Sequence, residues 1–579
     1  MNQRMRFMKT LIILISTVVL VNSCRNNPKE WGGPVLVHPR DQLTVEQLLG
    51  DSSLAFIDMS YFAEPDWSVP ASTGFSGTIL LEDTRINFFK QKAYYPGENL
   101  FPKLQLDFIT HQGVLIPLRK DRIITRLQSD SYWDVVVGAG KVWHEPEDGE
   151  WNRASFPLTL TDRWVGQARN CVAAFVFKPD TISNICLQCS QETADIDDMQ
   201  LGDINGMLPA GFEPKRYVDS AQIVERHKSS VAGRIPVHPL SEIDEDNMIA
   251  RHFDRVIHSN APTSLGAVFM NNKLYLHPPS TRHGLYPYPD EMRHGLYSVT
   301  KSLAGALALM YLEERYEEDV FGALITDYVP ALATHAGWQG VTFSHTLNMV
   351  TGTAGGEDAE RLYSTLIVAE TAEEAIRNIA GLGDAPEPPG RKFNYASTNL
   401  FVLSYAMQKF VEKKEGRNVN YWDLVHDHVL VPIGAEHFTV LHTLEKDEES
   451  AIPVLAYGAL PTIDEAVKIA LLFANYGKHG EKQILHENRV KEVFGQTPWK
   501  GYSTDNDYRG TGYRHAFWSK EIKTKTRQGN IMVTFMLGFG ENYIVFLSDN
   551  TVIFRFLDEH DLDIDELIRD VVTLKSPVP

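Results

Sequence analysis

The stretch Ser298-Val299-Thr300-Lys301 constrains this chain most, because of the run that follows it: Ser302-Leu303-Ala304-Gly305-Ala306-Leu307-Ala308-Leu309-Met310-Tyr311-Leu312. A segment that is apolar on all sides reads as a buried helix, with Ser298 at its N-terminus. Residues i and i+3 share a helix face, so Lys301 can reach the Ser298 hydroxyl. A serine hydroxyl is a poor nucleophile without an adjacent base. Lysine serves as that base only when its pKa falls well below its ordinary value of about 10.4. Burial against apolar neighbours lowers it by up to roughly 3–5 units. The helix N-terminus adds N–H groups and a positive dipole for a developing oxyanion. S-x-x-K is a short pattern that also arises by chance in 579 residues, so its surroundings decide the reading.

Several further segments stand around it in a fixed order. Leu265-Gly266-Ala267-Val268-Phe269-Met270 and Lys273-Leu274-Tyr275-Leu276 read as paired strands with an Asn271-Asn272 turn between them. After the serine motif come Val341-Thr342-Phe343-Ser344-His345-Thr346-Leu347-Asn348-Met349-Val350-Thr351-Gly352, then Pro389-Gly390-Arg391-Lys392-Phe393-Asn394-Tyr395-Ala396-Ser397-Thr398-Asn399-Leu400. Last is Ile531-Met532-Val533-Thr534-Phe535-Met536-Leu537-Gly538-Phe539-Gly540, followed by Tyr543-Ile544-Val545-Phe546-Leu547. From about Leu240 to the C-terminus this order resembles the serine β-lactamase and penicillin-binding-protein superfamily. It is most similar to the class C branch, which includes esterases, D-amino-acid peptidases and 6-aminohexanoate-dimer hydrolases.

The resemblance implies an antiparallel sheet flanked by helices, in an α/β (α+β) chain. It implies that Ser298 is the nucleophile, Lys301 its base, and Tyr395 a second base or the proton shuttle to the leaving group. Ser397 stands where the family usually has asparagine, and a serine hydroxyl is shorter with fewer donors. That departure bears on β-lactam or peptide recognition more than on serine chemistry. The Phe539 N–H would join that of Ser298 as the oxyanion hole, with Gly538 and Gly540 letting the backbone approach substrate. Such donors are worth roughly 2.7–4 kcal/mol each to the transition state. Met536 stands where relatives carry lysine or histidine, so the cation that meets a substrate carboxylate is missing. Arg514, His515 and Arg555 are the candidates to replace it.

The N-terminus carries Arg4, Arg6 and Lys9, then the apolar stretch from Thr10 to Val21. That length suits a signal peptide and falls short of the ~20 residues of a transmembrane span. Val21-Asn22-Ser23-Cys24 reads as a bacterial lipoprotein cleavage site, with residues 1–23 removed and Cys24 lipidated. The expected order is then a tether at 24–35, a β-sandwich-like domain at 36–221, a linker at 222–246 and the hydrolase domain at 247–579. The sandwich reading rests on strand-like runs between turn signals, Gly77–Leu81, Arg122–Leu127, Trp133–Val137 and Cys171–Phe177. Trp133, Trp143, Trp151 and Trp164 lie among His144, Glu145, Glu147 and Asp148. Such a cluster can hold sugars, and it can equally fill a β core or a domain interface.

A formal charge of −20 argues against nucleic-acid and anionic-membrane binding, both of which want basic patches. Cys171, Cys186 and Cys189 point to one disulfide and one buried thiol more than to a metal or redox site. His426-Asp427-His428 mimics a metal ligand pair but lies in a segment resembling a structural helix. Phosphate loops, HExxH and G-x-S-x-G are absent from the sequence. The expectation is an exported, lipid-anchored serine hydrolase of the bacterial cell envelope that uses no metal or cofactor. Its substrate is a small ester or amide, open to a glycan- or cell-wall-derived one. Penicillin-binding, D-peptidase or β-lactamase activity is one alternative, and a non-catalytic glycan- or protein-binding lipoprotein is another.

Overall fold

The structure, a computed structural model, describes residues 38–575 apart from 53, 89–92, 94, 164, 192, 194–201, 255–263, 384–386, 447–449, 505–511, 525–528 and 559–563. Cys24, the segments 1–23 and 24–35, and Trp164 lie outside the described residues. The chain is mixed α/β, with two large sheets formed in sequence order.

The first sheet has twelve strands among the described residues, all paired antiparallel. Its centre is the pair Asn152–Asp162 and Ala168–Lys178, which run together over ten registered positions. Both strands are buried along nearly their whole length, yet the first alternates, sending Ala154, Phe156, Leu158 and Leu160 into one apolar core in alternation with Ser155, Thr159 and Thr161. The sandwich expected from sequence is one continuous sheet curled over on itself. Phe75, at the start of Ser76–Leu81, meets Phe175 and Phe177 of Ala168–Lys178 at 5.4 Å each, although the two strands are not neighbours in the sheet. Of the strand-like runs read from sequence, Arg122–Leu127 forms only a single bridge, between Ile123 and Val135. Its other polar groups turn elsewhere. The Thr125 N–H goes to Asp134 (2.9 Å), and the Arg126 guanidinium reaches the Leu444 and Glu445 carbonyls.

Trp133 and Trp143 are buried and give no sugar platform. Each indole N–H is satisfied internally, on the Glu98 carbonyl and the Glu145 carboxylate at 2.8 Å each. Glu145 is in turn held by Arg40 and Arg153, and Trp151 lies under the Lys178 ammonium at 4.8 Å. Cys171 and Cys189 form a disulfide between paired strands, and Cys186 is a buried thiol.

The segment 222–246 connects the sheets as ordered structure. Helix Ser220–Ala232 seats Ile223 against Ile109 and Ile116, and Val237–Pro239 adds a parallel edge strand to the second sheet. Among the described residues that sheet has eight strands, ordered from Val237–Pro239 through Lys273–His277, Leu265–Met270, Val552–Phe556, Asn542–Phe546, Ile531–Gly538 and Phe517–Ile522 to Gly512–Arg514. Asn271 and Asn272 take φ of 53° and 60°, the left-handed pair that a two-residue hairpin of type I′ needs. Helices Leu307–Tyr316, Ser397–Glu415 and Ile463–Ala474 share one apolar core with this sheet. No described helix is long and apolar enough to cross a membrane.

Candidate active site

The predicted helix begins as a tight turn, Tyr297–Val299, continues as a wider turn over Lys301–Ala306 and becomes α-helical at Leu307–Tyr316. Tyr297 has φ 43°, a left-handed conformation that costs a non-glycine residue about 1–3 kcal/mol. The strain falls on the residue before Ser298. A neighbouring segment fixes the turn by ladder-like bonds: His294 N–H to Pro461 O, Leu296 N–H to Ala459 O, and Ala459 N–H to Thr300 Oγ1, at 3.0–3.1 Å.

Lys301 is buried, and its Nζ lies 2.8 Å from Ser298 Oγ, 2.9 Å from Ser397 Oγ and 2.7 Å from the Ala456 carbonyl. Burial lowers its ammonium to about 8, against an opposing pull from the Glu357 carboxylate. The Tyr395 ring centre is 4.9 Å from Lys301 Nζ. The ring also stacks on Trp518, with centroids 5.6 Å apart. Ser298, Lys301, Tyr395 and Ser397 thus converge from two segments about a hundred residues apart in sequence.

The convergence has a local cause. Thr342 caps helix Phe343–Leu347 by a reciprocal bond with His345, and the chain then reverses through Met349 (φ 59°) and Gly352 (φ 74°). Met349 and Val350 accept the N–H groups of Asn394 and Gly390 at 2.8 Å, which fixes the approach to Tyr395. The loop continues to Glu357, whose carboxylate takes the Ser397 N–H on one oxygen and the Ser397 hydroxyl (3.0 Å) on the other. Ser397 opens a 19-residue helix. Its N–H would otherwise lack an intrahelical acceptor, and the helix dipole favours a negative charge there.

The strand Ile531–Gly538 ends against the turn that carries Ser298. A Cβ on Gly538 would lie 2.2 Å from the Leu296 carbonyl and 3.2 Å from the Val299 nitrogen, so only glycine fits. Phe539 is exposed with its ring edge-on to Tyr297 at 5.6 Å, and Gly540 turns the chain at φ 77°. Met536, on the same strand, is buried. The three candidate replacements for its missing cation are engaged elsewhere. Arg514 donates to the Lys500 carbonyl (3.0 Å), His515 contacts Glu492 (2.8 Å) and Asn348, and Arg555 lies over the Tyr543 ring (5.1 Å).

Glu357 and the Ala456 carbonyl were not readable as site groups from sequence. The only local signal for the first is Gly355-Gly356 ahead of it. Its link to Ser397 spans forty positions and exists only in three dimensions. His426 and His428 lie on helix surface, with His426 bonded to Asp427 (2.8 Å) and the Glu436 carbonyl (2.9 Å). Among the described residues no cluster of His, Cys, Asp or Glu is arranged to hold a metal ion.

Ser298 and the buried Lys301 thus sit one turn apart beside the end of Ile531–Gly538, in a β-lactamase/transpeptidase-like fold. Residues 267–454 match the family model described as Beta-lactamase. The N-terminal β domain is additional to it. Solved structures similar to the chain include a family VIII carboxylesterase (14% identity, 58% of this chain and 98% of that one, TM-score 0.42). Others are a D-stereospecific amidohydrolase from Streptomyces sp. (14%, 55% and 96%, TM-score 0.42) and a penicillin binding protein from Bacillus halodurans (15%, 58% and 98%, TM-score 0.39). No curated protein matches the chain.

Proposed function

We propose that this protein is an exported serine hydrolase that cleaves an ester or amide through an acyl-enzyme on Ser298. The observation that carries this reading is the 2.8 Å contact between Ser298 Oγ and a buried Lys301 whose pKa lies near 8. Neutral Lys301 takes the Ser298 proton while Oγ bonds to the substrate carbonyl carbon. The carbonyl oxygen becomes an oxyanion, held by the Ser298 and Phe539 N–H groups. Collapse of this intermediate breaks the bond to the leaving group, which takes a proton through Tyr395. Water then enters by the reverse sequence and releases the acid. Each proton-transfer group contributes about 10²–10⁴-fold.

The substrate is uncharged where β-lactams and peptides carry a carboxylate, because Met536 offers no cation there. In the cell, residues 1–23 are removed and Cys24 carries the lipid that tethers the enzyme to a membrane of the envelope.

The test is reaction of the mature protein and its Ser298→Ala variant with a fluorophosphonate, read by intact mass. A probe-sized mass gain on the wild type alone is the expected result, and a gain on Ser298→Ala of equal size overturns the assignment. A fluorescent penicillin in the same assay reads the other substrate class, since stable labelling of Ser298 by it would replace the neutral ester or amide. The mass of protein recovered from bacterial membranes reports the N-terminus. A first residue other than an acylated Cys24 would rule out the anchor.

A further inference from the structure

Ser298, Lys301, Ser397 and Glu357 form an unbroken hydrogen-bonded chain, with successive contacts of 2.8, 2.9 and 3.0 Å. To act as a base, neutral Lys301 must aim its one lone pair at the Ser298 hydroxyl. Its two remaining N–H groups then need acceptors. The Ala456 carbonyl at 2.7 Å can only accept. The Ser397 hydroxyl is ambiguous, because it can accept from Lys301 or turn its own proton onto the lysine nitrogen and compete for the lone pair. A carboxylate accepts only, so Glu357 draws the Ser397 proton to itself and leaves Ser397 Oγ as an acceptor. The second Glu357 oxygen is tied to the Ser397 N–H at the helix start, which fixes the carboxylate's orientation.

We propose that Glu357, acting through Ser397, is the positioning residue that sets hydrogen-bond polarity around Lys301 and leaves its lone pair for the Ser298 proton. The role rests on Ser298 being a nucleophile, as proposed above. Glu357 has a second, electrostatic effect, since its charge favours the Lys301 ammonium. The other titratable groups around this chain are Tyr395, over Lys301, and Tyr457 and Tyr513, both kept neutral by burial.

The experiment measures fluorophosphonate labelling rate against pH for wild type, Glu357→Gln, Ser397→Ala and the double variant, each shown to be folded. In Glu357→Gln the amide presents a donor to Ser397 and turns the hydroxyl proton onto Lys301. Above the acid limb the rate should fall about tenfold or more, and the limb's midpoint should move to lower pH. Ser397→Ala should also slow labelling, and adding Glu357→Gln to it should cost little more, because glutamate acts through the serine. A helix-capping role alone would add its cost in both backgrounds, whereas the midpoint moves in either case with the loss of the carboxylate's charge. Wild-type rate and midpoint in Glu357→Gln, additive losses, or wild-type labelling by Ser397→Ala would each overturn the positioning role while leaving a Ser298-dependent hydrolase. Should folded wild type show no Ser298-dependent labelling, the hydrolase reading falls and this role falls with it.

Discussion

Lys301 decides how this site behaves with pH. An ammonium in bulk water loses its proton near 10.4, but burial disfavours the charged form and brings Lys301 to about 8. Below that value the ammonium predominates and cannot take the Ser298 proton, and above it the neutral amine can. The rate of Ser298 acylation should therefore rise with pH along a single limb whose midpoint lies near 8. Stopped-time labelling between pH 6 and 10 checks this (about two pH units either side). A flat profile would remove Lys301 as the base. At this scale the sequence showed what local spacing can show. Ser298 and Lys301 are one turn apart on any helix, whereas Tyr395 and Ser397 were picked out only by the resemblance of the segment 389–400 to a family motif. Glu357 was invisible because nothing in Thr353–Asp358 has a period, and its meaning comes from a loop folding back onto Ser397.

Among the elements, the end of Ile531–Gly538 is the most tightly fitted to the nucleophile turn. Gly538→Ala puts a methyl 2.2 Å from the Leu296 carbonyl, and neither backbone can yield as a flexible side chain could. Either the strand end or the turn must move. Overpacking of this kind costs about 1–3 kcal/mol, and a displaced nucleophile of about 1 Å costs about 10²-fold in rate. Gly538→Ala should therefore lower both the unfolding temperature and the labelling rate. Wild-type labelling by this variant would show that the contact does not position Ser298. Legibility at this scale follows the strength of local signals. The Asn271-Asn272 hairpin was plain because two adjacent left-handed residues want asparagine. The helix Ser220–Ala232 was read as linker because its only buried residue is Ile223, too little to make an apolar stripe. Arg122–Leu127 has strand composition but gives its polar groups to Asp134 and to the second domain, which no local pattern announces.

At the scale of the whole molecule the question is whether the N-terminal β domain merely accompanies the hydrolase or holds it together. The contacts favour the second. Asn170, on the central strand Ala168–Lys178, grips the backbone of Arg293 from both sides, donating to its carbonyl (2.8 Å) and accepting from its N–H (3.1 Å). Arg293 is buried, and its guanidinium continues to the Leu460 carbonyl (2.8 Å) and Glu465 (3.0 Å). Tyr286 and Tyr288 donate to the Cys171 and Ser155 carbonyls of the first sheet, at 2.9 and 3.0 Å. Nearer the nucleophile, a Cβ on Gly295 would meet the Gly166 carbonyl at 2.4 Å, three positions before Ser298. The loop that leads into the turn carrying Ser298 is therefore clamped by the β domain along Arg293–Gly295. Burying these polar groups stabilises only while both partners stay in contact. Asn170→Leu keeps similar bulk but orphans both the N–H and the carbonyl of Arg293, at about 1–3 kcal/mol each. It should lower the stability of the hydrolase domain as much as that of its own sheet, and slow Ser298 labelling at a distance. Denaturant unfolding followed by labelling competence and by tryptophan fluorescence (Trp133 and Trp143 in one sheet, Trp518 in the other) checks both claims. Coincident transitions, shifted together in the variant, are the expected result. Two separated transitions, with labelling lost in only one of them and untouched by Asn170→Leu, would make the β domain a passenger.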